Sequence, residues 1–160
     1  MNKIVNSKIQ GIGLLELMMV LGLIGILLMS AVRYFALVNR ANRVNQAIEM
    51  VNVIYAAGER YKTVKDVYDQ PTGGLLAAFV ARGFLPDSYK AAVVMNPWGG
   101  VVVVGPDTSD TSKLIIALSG ITTASECRNF VNKIKGTSCT TDKASSDECT
   151  DNDTVVVHCG

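Results

Sequence analysis

Glu16 is the residue whose chemistry most needs explaining. It is the one charged side chain in the run Ile12 to Val32. A carboxylate in such surroundings is costly unless a positive group neutralises it. The spacing names a candidate. A cut after Gly11 would free an α-amine on Ile12 and leave Glu16 fifth from the new terminus. Where copies of the chain pack side by side away from water, the amine of one can neutralise the carboxylate of its neighbour. Such a pair sets register as well as attraction, although desolvation offsets much of the Coulomb gain.

Sulfur is the second chemical feature. Cys127, Cys139, Cys149 and Cys159 all lie in the last quarter of the chain. An even count in a polar tail points to two disulfides and an oxidising compartment. The long, nearly uniform intervals contain no CxxC pair, so zinc is the weaker reading. His158 is the only histidine. No Ser/His/Asp or Cys/His centre can be built without it, and its place beside Cys159 in a β-branched run reads as a strand position. Asp147, Glu148, Asp151 and Asp153 read as a solvated loop, since a calcium site needs oxygens converging in defined geometry. The expectation is therefore a non-enzyme with no catalytic residues, no cofactor and no metal.

The elements that must position these groups begin with three N-terminal parts. Met1 to Gly11 is a short polar leader carrying Lys3 and Lys8, Ile12 to Val32 is apolar, and Arg33 opens a polar, helix-favouring stretch. The apolar part, about 21 residues, would reach ~31 Å as a helix, close to the thickness of a bilayer core. Basic residues before it favour a cytoplasmic N-terminus. A secretory signal would need a small-residue cleavage site after the apolar run, and Leu28-Met29-Ser30 before Ala31 is a poor one. Neither a signal peptide nor a plain anchor explains Glu16.

Beyond Arg33 no proline interrupts the pattern before Val64. Leu37, Ala41, Val44, Ile48, Val51, Tyr55 and Gly58 recur at three-and-four spacing and form one stripe. The spacing predicts a single helix over 12–64, apolar all round in its first half and amphipathic in its second. Gly22 and Gly25 each cost roughly 1 kcal/mol against alanine and are the candidate positions for helix melting.

Gly11-Ile12-Gly13-Leu14-Leu15-Glu16-Leu17-Met18-Met19-Val20 resembles the prepilin cleavage and methylation motif of type IV pilins. In that motif a glycine precedes the cut and glutamate is the fifth mature residue. A cut at Gly13 would make Glu16 third, so the spacing favours Gly11. The resemblance implies cleavage by a prepilin peptidase, which also N-methylates Ile12. It implies residence in the inner membrane, then extraction by an assembly ATPase and an inner-membrane platform, with passage through an outer-membrane secretin. The product would be a helical homopolymer, an extracellular pilus on the bacterial surface. The divisions it implies are a cleaved leader (1–11), a transmembrane and filament-core helix (12–32), and a pilin head (33–160).

The head is expected to be α+β, a small mainly antiparallel sheet packed on the amphipathic half of the long helix. A short helix over Gly74–Arg82 should stop at Gly83. Asn96-Pro97-Trp98-Gly99-Gly100 is a turn signal, with Trp98 read as a turn or core aromatic. The run Val101–Val104 reads as a buried strand and Lys113–Leu118 as a second. Thr123-x-x-Glu126 is a capping box opening a helix to about Lys135, with Gly136 as the stop. A polar loop, Thr137–Asp153, leads to a last strand, Thr154–His158.

This order is similar to the type IVb pilins, which include toxin-coregulated and conjugative thin-pilus subunits. Three cysteine connectivities remain open. The favoured one joins Cys127 to Cys159, tying the late helix to the terminal strand, and Cys139 to Cys149, pinning the loop. Arg33, Arg40 and Arg43 are read as subunit contacts. With 15 basic against 14 acidic side chains, the chain has no general field for nucleic acid, and no specific nucleic acid is expected. The resulting expectation is a major pilin, with a minor pilin or secretion pseudopilin as the alternative and a tip adhesin behind both.

Overall fold

Helix α1 spans Leu14–Lys65 without interruption in the computed structural model, which describes residues 13–69, 71–90, 93–143 and 145–160. The expected cut site, Gly11 and Ile12, lies outside the described residues. The chain divides into two compact units, one ending at Asn39 and the other spanning Arg40–Gly160. Every residue from Leu14 to Leu37 is exposed, large apolar side chains included. Gly22 and Gly25 do not break the helix, and a Cβ added at either would meet nothing within 4 Å.

The second unit is α+β. After α1 come helix α2 (Gly74–Ala81), strands β1 (Val94–Met95), β2 (Val101–Pro106) and β3 (Leu114–Ile121), helix α3 (Ala124–Ile134), and strands β4 (Cys139–Thr141) and β5 (Asp153–Cys159). Single turns of 3-10 helix occupy Asp87–Lys90 and Ser146–Glu148. The sheet order is β1-β2-β3-β5-β4, with every neighbouring pair antiparallel.

One face of this sheet lines the core. Leu114, Ile116 and Leu118 of β3 alternate inward, as do Val155, Val157 and Cys159 of β5. They join Phe130, Val131 and Ile134 of α3, Leu75 and Phe79 of α2, and a buried stripe from α1. That stripe is Val44, Ala47, Val51, Ile54, Ala57, Gly58 and Tyr61. It begins at Val44, so Leu37 and Ala41 of the expected stripe stand outside it, exposed. Gly58 packs against β3: a Cβ there would lie 3.0 Å from Leu114 Cδ2.

The valine run is half-buried and not a fully buried strand. Val102 points into the core, while Val101 and Val103 are exposed, Val103 by 60%. A sheet covered on one side shows each strand's alternate residues to solvent. The expected polar loop after α3 also contains structure, since Cys139–Thr141 pairs with the end of β5.

Candidate functional site

Glu16 sits in the first turn of α1 with its side chain exposed. An acid there is favoured by the helix dipole. Among the described residues no ion pair reaches it. Its surroundings on the helix surface are Leu15, Leu17, Met19 and Val20, more than half exposed each. A carboxylate thus stands on an apolar, uncovered helix whose length and composition suit a membrane span. Gly22 and Gly25 lie on the same helix beside Ile26, Met29, Ser30 and Arg33, where the missing side chains leave a shallow depression. Ser30 Oγ donates back to the Ile26 carbonyl at 3.0 Å.

The cysteines do form two disulfides, but the favoured pairing is overturned. Cys127 bonds Cys149, with Cα atoms 5.8 Å apart, and Cys139 bonds Cys159, with Cα atoms 4.2 Å apart. Strand register gives the reason. Cys139 faces Cys159 across the β4–β5 ladder. The start of β5, by contrast, lies beside α3, and Asp153 Oδ2 is 3.8 Å from Cys127 Sγ. Cys159 is six residues further along an extended strand, roughly 20 Å away, so Cys127 cannot reach it. Cys127, Cys149 and Asp153 bring their ligand atoms within 4.8 Å of one another. With the two sulfurs joined, no thiolate is left for a metal.

Two polar pairs escaped the sequence reading. His158 Nδ1 lies 2.9 Å from Asp107 Oδ2. The other oxygen of Asp107 accepts from Ser109 N at 2.8 Å and Ser109 Oγ at 2.6 Å. The Ser109 hydroxyl, then its N–H, then His158 hold the Asp107 carboxyl well below the usual carboxylate range. The residues are 51 positions apart in the chain, so no local motif announces them. They meet because Pro106 ends β2 against Leu114, which in turn faces Cys159.

The second pair is Arg43 and Glu126. Thr123 caps α3, its hydroxyl accepting from Glu126 N at 3.3 Å. The Glu126 carboxylate does not fold back onto the cap backbone as a full capping box requires. Its Oε2 accepts instead from the hydroxyls of Thr122 (2.8 Å) and Thr123 (2.9 Å). Its Oε1 faces Arg43 Nε of α1 at 3.8 Å.

The turn at Asn96 is built as its composition suggests. Asn96 Oδ1 accepts from Trp98 N and Gly100 N, and its Nδ2 donates to Ser119 O at 2.7 Å. Trp98 is buried and meets Phe130 edge-on at 6.0 Å. Compared with protein-family models and with curated proteins, the chain matches none.

Proposed function

We propose that this chain is the precursor of a type IV pilin, of the type IVb kind, and the major subunit of its filament. Cleavage after Gly11 and N-methylation of Ile12 would prepare it, and α1 would then pack against α1 of other copies. The observation that carries this reading is Glu16, a lone acid on an apolar helix surface that is exposed among the described residues. A bilayer satisfies that surface before assembly. Packing with other copies satisfies it afterwards, and the Ile12 amine of a neighbour supplies the charge that Glu16 lacks. The oxidised, compact head then forms the outside of the fibre, in keeping with an extracytoplasmic location. Catalysis is performed on this protein by its peptidase, not by it.

Intact mass and N-terminal sequencing of filaments sheared from cells test the proposal. The expected result is a polymer of one abundant subunit that begins at N-methylated Ile12. Filaments whose subunits keep Met1 to Gly11 overturn it, because the pairing amine then does not exist. Trace stoichiometry in a filament of another subunit assigns the chain to the minor pilins instead.

A further inference from the structure

Glu126 is only 1% exposed, and its Oε1 is buried without a hydrogen bond. A carboxylate oxygen so placed normally carries a severe penalty. The Arg43 guanidinium, 3.8 Å from that oxygen and 40% exposed along its side chain, is the ion-pair partner. It is close enough for Coulomb attraction and too far for a hydrogen bond. One residue on is Val44, where the buried stripe of α1 begins. Beside it, Lys133 Nζ of α3 donates to Asn45 Oδ1 of α1 at 2.5 Å. The first docked turn of α1 is therefore joined to α3 by the Lys133–Asn45 hydrogen bond and by the Arg43–Glu126 ion pair, and the latter concerns a buried charge.

We propose that Arg43 and Glu126 form an electrostatic latch that sets where the docked part of α1 begins. While the turn Arg43–Ala47 lies against α3, the guanidinium neutralises Glu126. When that turn lifts, Glu126 loses its counter-charge and gains water. Glu126 cannot follow the departing helix. Two threonine hydroxyls hold its other oxygen, and the adjacent Cys127 is bonded to Cys149. The latch is set loosely in this structure: a slightly closer guanidinium would complete a charge-assisted hydrogen bond, and a slightly more distant one would free the turn. The docked length of α1 is thereby adjustable by one turn without disturbing Val51 to Tyr61. This inference stands apart from the filament reading and does not depend on it.

Amide hydrogen exchange on the full chain in detergent micelles tests the latch. Arg43→Met at a half-exposed position leaves the core packing in place. The latch predicts about tenfold faster exchange at the amides of 44–48 in that variant, with 54–61 unchanged. Adding Glu126→Gln removes the stranded charge, and exchange at 44–48 should return most of the way to the wild-type rate. Wild-type exchange in Arg43→Met overturns the proposal. So does a uniform rise across the head, or a double variant that exchanges no more slowly than Arg43→Met alone.

Discussion

At the residue scale, the energetic weight of each polar group follows from what surrounds it. Glu16 has exposed apolar neighbours, so under the proposed filament reading replacing it should act on assembly and leave the head intact. Glu16→Ala is expected to be processed normally and to lower filament yield by roughly tenfold or more, read by shearing and immunoblot. Gly11→Val should keep the leader attached, read as a larger mass by mass spectrometry. Asp107 has a different environment, and its effect depends on pH. Its carboxyl is held below the usual value of 3.8 in the folded chain, first by Ser109 and then by His158. The stabilisation it brings is full above that usual value and disappears as pH falls below it toward the folded one. Wild type should therefore exceed Asp107→Asn in denaturant midpoint at neutral pH, and the gap should close on acidification below about pH 4. Gly100 carries a steric constraint. A Cβ there would fall 1.8 Å from Ser119 O, so Gly100→Ala should cost at least about 2 kcal/mol, measured by denaturant titration of the full chain.

At the scale of elements, the long helix, α3 and strands β2, β3 and β5 were readable because each carries a local signal. For α1 it was an uninterrupted helix-favouring run; for α3 it was Thr123 and Glu126; for β2 and β3 it was β-branched residues beside Gly- and Pro-containing turns, and for β5 the run Thr154–Val157 after a polar loop. What escaped was decided by distant partners. Cys139-Thr140-Thr141 is short and polar, and only its ladder with β5 makes it a strand. The same ladder chose the disulfides, which is why the reading of Cys127 with Cys159 failed. Leu37 and Ala41 fit the spacing of the α1 stripe, yet both are exposed and the buried stripe begins at Val44. The Asp107–His158 and Arg43–Glu126 pairs were illegible for the same reason: each is made by tertiary packing. Non-reducing peptide mapping should recover Cys127 with Cys149 and Cys139 with Cys159. Replacing Cys139 and Cys159 by serine should lower head stability by about 3 kcal/mol, the chain-entropy value for a loop of some twenty residues.

At the scale of the whole molecule, the two units meet different solvents. The unit ending at Asn39 presents an apolar helix surface, while the unit from Arg40 to Gly160 buries its own core beneath one sheet face. The first exposes its large apolar side chains from Leu14 to Leu37, while the second encloses a core of its own. A division of this kind is what the proposed subunit, stored in a membrane and then stacked, requires.

The overlap of the two disulfide loops, 127–149 and 139–159, has a consequence for survival under proteolysis. Every peptide bond between Cys127 and Cys159 lies within at least one closed ring. A protease that severs the chain once anywhere in that stretch releases no fragment, because a sulfur bridge still spans the wound. Nicked protein should run as one species on a gel without reductant and as two with it, so a fibre built from such heads would keep its coat through damage that would strip an unbridged one.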